Sequence, residues 1–579
     1  MKAFDWVVLG ATLLLILLYG LWKGRGSGTV RGFLLADRSM KWYTVALSIM
    51  ATQASAITFT STPGQAYADG MRFVQFYFGL PLAMVVLAIT AVPIFHRLGV
   101  YTAYEYLERR FDARTRVLTT IIFLVSRGLA AGMTIYAPSL MLSVMLGLDI
   151  RTTSLIIGGL VILSAASGGV KAINHSHVFQ FLVVMGGMVI AFVMAVHLLP
   201  ADISFADALS ISAVTGRLDT VDWSFDFSSR YNLWSGLVGG MFVALAYFGT
   251  DQSQVQRYLT GKSITESRLG LLFNGMVKVP MQFFILLLGV AVFAFFQFIQ
   301  PPLFFNPVEM EKVRSGASAQ AIERLESEHH TLFEKKLTEA REYLQARKRG
   351  DERAIAEKKQ RLQSLQQRSE TLHTETSMLV AQSASGSDGN DTNYIFLSFV
   401  LNFLPMGLVG LIIACIFLAS MSSSASELSA LATISVVDIY SRFVRHERNE
   451  KRDVLISRLM MVFWGLYGIG FAQYASRLGS LVEAVNILGS LFYGTMLGIF
   501  LLAFYVKSVG GTGAFIGAIA GELVVLYCFR FTTIAWLWYN VIGCLVVVSV
   551  GIVISHYRNG NGEDDSWARA NEPQNTNAL

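Results

Sequence analysis

The sequence predicts an all-α polytopic membrane protein. Of its 579 residues, 53% are hydrophobic and only 15% are charged, and the mean hydropathy is +0.51. Soluble globular chains carry about 25% charged residues, so this composition excludes that class. Apolar runs of about 20 residues, the length that a helix needs to cross a bilayer, recur along most of the chain.

Thirteen apolar runs are predicted to be transmembrane helices. Their bounds are about 4–22, 42–67, 73–96, 116–147, 152–170, 177–199, 234–259, 269–299, 405–440, 455–475, 480–506, 511–530 and 533–555. The predicted domains are 1–305 with helices one to eight, an extramembrane insertion 306–390, 391–556 with helices nine to thirteen, and a disordered tail 557–579.

The distribution of charge predicts the orientation. Loops after the first, third, seventh and ninth spans are rich in Lys and Arg, whereas the loop 201–231 carries five Asp. Because basic loops stay in the cytoplasm, we expect the N-terminus outside and the tail inside a cell (inner) membrane. This bias accounts for the formal net charge of +6. The lipid bilayer is therefore the expected partner, and no nucleic acid is.

The insertion 306–390 is rich in Glu, Lys, Arg and Gln. An apolar stripe at helical spacing runs to Leu344, Gly350 interrupts it, and a second stripe begins at Ile355. The pattern predicts a protruding helical hairpin of coiled-coil type on the extracytoplasmic side. It is either a solvated surface without a dedicated role or a docking surface for an extracytoplasmic protein partner.

The ninth span carries small and hydroxyl side chains at steps of three or four residues. On a helix they share one face, and they are Ala419, Ser422, Ser423, Ser426, Ala430 and Thr433. Such groups are costly against lipid tails, so the stripe is expected to face protein. Its oxygens are suitable ligands for Na⁺. Alternatively, the small residues only allow two helices to approach closely.

Two spans are interrupted by polar residues. In the second, an apolar half-helix over 42–50 gives way to a polar run containing Pro63 and Gly64, and in the seventh the residues 249–252 follow a long apolar run. These spans open two successive sets of five helices. Interrupted helices at matching positions of two halves are typical of inverted-repeat transporters with a site near the midplane. Either interruption alone also fits an ordinary kink.

Six segments, in this order, resemble the sodium:solute symporter family. They cover nearly all of the chain outside the insertion and the tail, and they are FLLADRSMKWYTVALSIMATQASAITFTSTPGQAYADG, TAYEYLERRFDARTR, GGVKAI, GTDQSQVQRYLTGKS, GLVGLIIACIFLASMSSSASELSALATISVVDIY and FLLAFYVKSVGGTGAFIGAIAGE. The resemblance implies a LeuT-type 5+5 inverted repeat formed by the second to eleventh spans. It also implies Na⁺-driven uptake of a small solute by alternating access.

The resemblance implies a main Na⁺ site made of five residues. Its ligands would be the backbone carbonyls of Ala51, Ala54 and Ala419 and the hydroxyls of Ser422 and Ser423. This agrees with the polar stripe of the ninth span.

The central cavity is expected to take its lining from several spans. By position the candidates are Gln53, Thr58, Tyr247, Phe248, Asp251, Lys278 and Asn486. The aromatic pair resembles one in sugar-transporting relatives, whereas QSQVQRY is closer to the branch that carries monocarboxylates, vitamins and inorganic anions. Arg127, midway along the fourth span, would either meet a substrate carboxylate or pair with Glu427 or another buried acid.

One position departs from the family pattern. Members with a second Na⁺ site commonly carry an Asp near the start of the sixth span, where this chain reads NHSHVFQ and places His177. Imidazole is a poor ligand for a hard cation. We therefore expect one Na⁺ per cycle and a pH dependence traceable to His177. Alternatively, His177 only forms a hydrogen bond at the cytoplasmic interface.

The predicted function is therefore Na⁺-coupled uptake of a small organic solute that is either anion-like, such as a monocarboxylate, or sugar-like. No catalytic triad, phosphate loop or metal-ligand cluster stands out in the loops, so an enzyme is not expected. The alternatives are proton-coupled transport on the same fold and a nutrient receptor or scaffold that signals through the hairpin.

Overall fold

The architecture is helical throughout. The computed structural model of the chain describes residues 1–23, 36–316, 318–383, 389–443, 450–475 and 480–560, and every named element in this part is a helix. Within it, nine helical segments are long and apolar enough to cross a membrane, and five shorter apolar helices accompany them. The predicted all-α membrane fold is confirmed. The number of thirteen spans stays a prediction.

The helices are numbered in chain order. Before the insertion they are α1 (Ala3–Lys23), α2 (Trp42–Gln53), α3 (Ala56–Asp69), α4 (Leu80–Ile89), α5 (Ala91–Leu98), α6 (Ala103–Arg110), α7 (Ala113–Leu146), α8 (Ile150–His197), α9 (Phe205–Val214), α10 (Gly240–Gly249), α11 (Gln252–Leu259) and α12 (Ile264–Phe295). The insertion contains α13 (Pro307–Arg314), α14 (Ala319–Arg349) and α15 (Glu352–Ser383). After it come α16 (Ile395–Phe403), α17 (Leu408–Ile434), α18 (Ser441–Phe443), α19 (Glu450–Ala472), α20 (Leu481–Tyr505), α21 (Gly511–Phe531) and α22 (Leu537–Gly560).

The predicted fifth and sixth spans lie in one long helix. Helix α8 holds both of them as the apolar segments Ile150–Ala166 and Ile173–His197, and the backbone between them stays helical. The predicted loop at this point is therefore wrong. Polar residues near the middle of a helix leave its backbone hydrogen bonds intact, so a drop in hydropathy does not by itself end the helix.

The interruption of the second span lies one turn later than predicted. Helix α2 continues past Met50 to Gln53, and the chain leaves helical geometry at Ala54, with φ −84° and ψ 67°. Pro63, which the sequence associates with the break, lies inside the buried helix α3. The Thr58 hydroxyl donates to the Gln53 carbonyl at 3.1 Å, which gives an oxygen at the end of α2 a side-chain partner.

The interruption of the seventh span separates α10 from α11. Helix α10 ends at Gly249 and α11 begins at Gln252. Asp251 lies between them in an extended conformation, and its carboxylate accepts the Ser253 N–H at 2.9 Å. The Asp251 carboxylate therefore caps the start of the second half of the span.

Helix α17 lies at the centre of the protein. It packs against α8, α1, α7 and α19, and its side chains are buried around almost the whole circumference. Three of its seven hydroxyls donate to carbonyls one turn back, as Ser426 does to Ser422 O at 2.9 Å and Thr433 to Ser429 O at 2.7 Å. Such intrahelical bonds allow a polar helix to be buried in an apolar core.

The insertion folds back on itself and packs on the rest of the chain. Gly350 turns the chain between α14 and α15 with a left-handed φ of +70°, and ion pairs such as Arg368–Glu328 and Arg361–Glu339 join the two helices. The apolar side chains that reach the core are Tyr343, Leu344 and Leu362, against Ile203, Ala208 and Phe298. The insertion is thus not a free coiled coil, because part of its apolar face packs on α9 and the end of α12.

An ion pair fixes α15 at the base of the insertion. His373 Nε2 lies 3.1 Å from Asp391 Oδ1, and the second oxygen of Asp391 accepts the Phe305 N–H at 2.6 Å. Burial disfavours the charged imidazole, but the Asp391 carboxylate outweighs burial and raises the pKa of His373 to about 9. The pair therefore joins both ends of the insertion and one of its long helices.

This ion pair predicts pH-dependent docking of the insertion. The folded pKa of about 9 is above the ordinary value of 6.5, so the stabilisation is complete below about pH 6.5 and is lost as pH rises through 9. The effect is moderated by solvent, since the His373 side chain is 41% exposed. Hydrogen exchange, corrected for its intrinsic pH dependence, should show weaker protection of α15 at pH 9 than at pH 6.

The matched control is the exposed His330 on the neighbouring helix α14. His373→Gln should abolish the difference in protection between the two pH values, whereas His330→Gln should retain it. An equal pH response in both variants would contradict this role of the pair.

Candidate functional site

A small void lies where the interruption of the second span meets α17. Ala51 and Ala54 line it from one side, and Ala419 and Ser422 line it from the other. Its volume is about 10 Å³, and a single water molecule needs about 10–15 Å³ of such space. Four of the five residues predicted for Na⁺ therefore meet at one ion-sized void.

Two buried oxygens at this void have no hydrogen-bond partner within the described ranges. They are Ser422 Oγ on α17 and Gln180 Oε1 on α8. A buried polar group without a partner costs about 1–3 kcal/mol, and a bound cation would offset that cost. The oxygens available here, from hydroxyl, amide and backbone groups, suit a hard monovalent cation better than a transition metal.

Ser423, the fifth predicted ligand, does not line the void. Its hydroxyl donates to the carbonyls of Ala419 at 3.0 Å and Ser420 at 3.2 Å. The Ser423 hydroxyl therefore contacts Ala419, which lines the void, and its role as a direct Na⁺ ligand stays a prediction.

His177 lies beside the void and is fully buried. Its Nδ1 is 3.0 Å from Ser48 Oγ, and its Nε2 is 3.3 Å from the Ser422 carbonyl oxygen. The imidazole therefore links α2 and α17, two of the helices that line the void, and it has no access to a solvent interface.

A central cavity of about 140 Å³ lies on the other side of the interrupted span. Seven of the eight residues predicted for the substrate line it, namely Gln53, Thr58, Arg127, Tyr247, Phe248, Lys278 and Asn486. The eighth, Asp251, lies behind Arg127 and not on the cavity wall. These seven residues come from α2, α3, α7, α10, α12 and α20, which are distant in sequence.

Arg127 forms an ion pair with both neighbouring acids. Its guanidinium contacts Asp251, lies 3.1 Å from Glu427 Oε1 and donates to the Tyr493 hydroxyl at 2.6 Å. Tyr493 in turn donates to Asp251 at 3.0 Å. The alternative of an ion pair with Glu427 or another buried acid is the one that the structure shows. Because two carboxylates already surround it, Arg127 has no excess positive charge to offer a substrate.

Lys278 also lines the cavity, but unlike Arg127 it has no carboxylate partner in the described residues. It is only 2% exposed, and the structure shows no ion pair or hydrogen bond for its ammonium within the described part of the chain. Its Nζ lies 5.6 Å from the centre of the Tyr77 ring, a cation–π contact worth about 0.5–2 kcal/mol. A buried ammonium with so little compensation is a strong attraction for an anionic ligand.

The sequence reasoning missed several residues that line the cavity and the void. Tyr77 and Tyr493 line the cavity, and Gln180 lines the void. Gln180 belongs to the NHSHVFQ segment that the family comparison singled out, so its position was a usable signal. The sequence carries no such signal for the two tyrosines, because single aromatic residues are common in apolar spans and do not indicate a cavity.

Comparison with known proteins places these features in a family. The chain is 34% identical over 275 residues to the human (Homo sapiens) sodium/iodide cotransporter, covering 47% of this chain and 42% of that protein. It is 32% identical over 274 residues to the Xenopus laevis sodium-coupled monocarboxylate transporter 1, covering 47% and 44%. These alignments thus span less than half the length of the relatives.

The fold also matches a solved structure. A Na⁺-coupled sialic acid symporter superimposes with a TM-score of 0.74 at 21% identity, covering 96% of this chain and 98% of that one. At this level of identity the match confirms the fold and carries no information on the substrate.

The family is shown by a match along most of the chain. The model of the sodium:solute symporter family matches residues 33–328 and 368–521. The relatives named above are transporters, and the predicted resemblance to the sodium:solute symporter family is confirmed. This chain belongs to the sodium:solute symporter family.

Proposed function

We propose that this protein couples inward Na⁺ movement to the uptake of a small organic anion. The observation that carries the proposal is that the ion-sized void and the central cavity lie on two sides of one interrupted helix. Ala51 and Ala54 line the void, whereas Gln53 and Ser55 line the cavity. Ion and solute therefore act on the same short segment of backbone.

This arrangement explains how the two ligands would be coupled. A cation bound by the carbonyls at the end of α2 and by Ser422 on α17 would hold the interrupted segment in place. The Gln53 amide, which donates to Asn274 Oδ1 at 3.0 Å, would then present a fixed surface to the solute. Each ligand reduces the ordering cost of the other, and the coupling free energy is reciprocal.

The charge of the cavity favours an anion over a sugar. Arg127 is compensated by Glu427 and Asp251, whereas Lys278 has no carboxylate partner in the described residues. A neutral sugar would leave this ammonium uncompensated in a buried site. A solute with its carboxylate on Lys278 and its apolar body against Tyr247 and Phe248 would fit both the charged and the aromatic part of the cavity. Two of the relatives are named as transporters of anions, namely iodide and monocarboxylates.

The decisive experiment is tracer uptake into proteoliposomes. An inward Na⁺ gradient should drive accumulation of pyruvate or lactate, and replacement of Na⁺ by choline should abolish it. Uptake driven equally well by a pH gradient without Na⁺ would indicate proton coupling instead. Accumulation of glucose but of no anion in the panel would contradict the anion proposal.

The buried charges around His177 support a single Na⁺ per cycle. Ser48, which contacts His177, also donates to Asn174 Oδ1 at 2.9 Å, and that oxygen accepts from Arg257 at 2.8 Å. Arg257 is fully buried and has no carboxylate partner in the described residues. A fixed guanidinium three contacts away opposes a second cation at the His177 position.

We therefore expect a Na⁺-to-anion flux ratio near one and a Hill coefficient for Na⁺ near one. Parallel measurement of ²²Na⁺ and labelled anion fluxes in the same vesicles gives the ratio directly. The double change His177→Asp with Arg257→Gln supplies a carboxylate and removes the opposing charge, and it should raise the Hill coefficient if a second site forms. A ratio of two in the unaltered protein would overturn the single-ion proposal.

The charge bias of the loops supports the membrane orientation. We place the N-terminus and the insertion outside a cell (inner) membrane and the C-terminal tail in the cytoplasm, in line with the positive-inside rule. An extracytoplasmic protein partner of the insertion stays a prediction. Cysteine labelling of intact cells at Lys335 and at Arg558, with a membrane-impermeant reagent, should modify only the first position.

A further inference from the structure

A second and larger cavity lies between the insertion and the core. Its volume is about 330 Å³, and we call it the outer cavity. One wall comes from Tyr67 and Asp69 at the end of α3 together with the end of α12. The opposite wall comes from α14 and α15 of the insertion. The insertion supplies nine of its 23 lining residues, so the rest of the chain does not enclose it alone.

Most charges in the outer cavity are already paired. Arg217 contacts Glu370 at 2.6 Å, and His373 contacts Asp391 at 3.1 Å. Asp69 accepts a hydrogen bond from Gln65. These pairs fix the walls and leave little attraction for a ligand of their own.

Among the cations that line the outer cavity, Lys336 differs from Arg217 and His373 because it has no carboxylate partner in the described residues. Its ammonium lines the outer cavity and donates to Gln366 Oε1 at 2.7 Å, and the structure shows no carboxylate within ion-pair distance in the described residues. Burial lowers the pKa of Lys336 to about 8, so it remains largely protonated at neutral pH. A neutral amide compensates an ammonium only in part, so one donor position suits an anionic group.

An apolar surface lies in the same cavity. Phe296 from the core and Leu332 and Phe333 from α14 contribute to its lining. Leu332 and Phe333 lie within one turn of Lys336 on α14, and side chains three or four residues apart share one side of a helix. The outer cavity thus combines one under-compensated cation with a hydrophobic wall, which is the usual composition of a small-molecule site.

Helix α3 connects the outer cavity to the central one. Thr58 lines the central cavity and Asp69 lines the outer one. These two residues are eleven positions apart on α3, so the two cavities are about 16 Å apart along this helix. Between them, Ser480 donates to Gln65 Oε1 at 3.0 Å, and the Ser61 hydroxyl accepts the Val482 N–H at 3.2 Å. This layer of hydrogen bonds separates the two cavities in the present conformation.

We propose that the outer cavity is a second binding site for a small organic anion, with the carboxylate on Lys336 and the apolar body against Phe296, Leu332 and Phe333. Its role as a station before the central cavity rests on the proposed function, whereas binding itself does not. The insertion then serves to form this site.

Benzoate is a suitable probe because it joins a carboxylate to an apolar ring. Equilibrium binding of radiolabelled benzoate to the full-length protein in lipid nanodiscs should show two sites per chain. Lys336→Met should reduce the stoichiometry to one, and Lys278→Met should remove the other site. Lys335→Met, an exposed neighbour on α14, should retain both. Benzamide, which lacks the charge, should compete at least ten-fold less well at the Lys336 site.

The outcomes separate this inference from the proposed function. If a folded Lys336→Met protein bound benzoate with unchanged stoichiometry and affinity, the proposed outer site would be rejected. This conclusion would hold whatever the result of the Na⁺-driven uptake assay. Loss of one site in Lys336→Met, in a protein that shows no Na⁺-driven uptake, would support the outer site and reject the proposed function. Size-exclusion profiles and retained benzoate binding at the other site verify that the variant is folded.

Discussion

Ser422→Ala is expected to raise the Na⁺ concentration for half-maximal uptake by about ten- to a hundred-fold. The change removes a buried hydroxyl that has no hydrogen-bond partner in the described residues and lines the ion-sized void. A hydrogen bond to a charged group is worth about 1.5–3 kcal/mol, and each 1.4 kcal/mol is about a factor of ten. Uptake measured over a Na⁺ series at fixed solute concentration gives the shift.

Ser429→Ala is the matched control for this change. Ser429 lies on the same helix, is fully buried and likewise has an unpaired hydroxyl in the described part of the chain, but it does not line the void. Its Na⁺ dependence should be unchanged. Equal shifts in both variants would reject Ser422 as a ligand. Ser423→Ala tests the family-based assignment, and a smaller shift is expected because its hydroxyl acts on the Ala419 carbonyl.

Lys278→Met is expected to lower the apparent affinity for a monocarboxylate at least a hundred-fold while the central cavity keeps its volume. Methionine retains much of the apolar stem and removes the one cation of the cavity that lacks a carboxylate partner among the described residues. A charge-assisted hydrogen bond in a buried site is among the stronger single contacts that a ligand makes. The measurement is the dependence of initial uptake rate on solute concentration at saturating Na⁺.

Two further variants define this effect. Lys278→Arg keeps the charge with a different shape and should retain part of the affinity, whereas Lys262→Met changes an exposed lysine and should have no effect. A Lys278→Met protein that transports anions normally would show that the substrate does not contact this ammonium. Improved transport of a neutral solute by the same variant would instead confirm that the charge selects the substrate.

The meeting of Ala51, Ala54, Ala419 and Ser422 at one void was predictable because its signal is local in sequence. A step of three residues puts Ala419 and Ser422 on one face of a helix, and the polar run after Met50 predicts an interruption in the second span. The exact position of the interruption was not predictable. It depends on side-chain bonds such as that from Thr58 to the Gln53 carbonyl, which exist only once the chain has folded.

The charged network of the cavity was only partly predictable. Arg127 and Glu427 were recognisable as rare intramembrane charges that need partners, but their contacts join residues 300 positions apart in sequence. No local pattern assigns Asp251 to the same guanidinium. The docking of the insertion was missed for a related reason, since its apolar stripe gives no sign of whether it contacts a partner helix, the core or both.

The hydrogen bond from the Phe305 N–H to Asp391 has a consequence for protein engineering. It brings together the two residues that flank the insertion, so both ends of the insertion meet at one point of the core. Helix α14 extends about 45 Å from this base to the turn at Gly350. The turn at Gly350 is therefore a suitable insertion site for a fluorescent protein or an affinity epitope, because it lies far from both cavities.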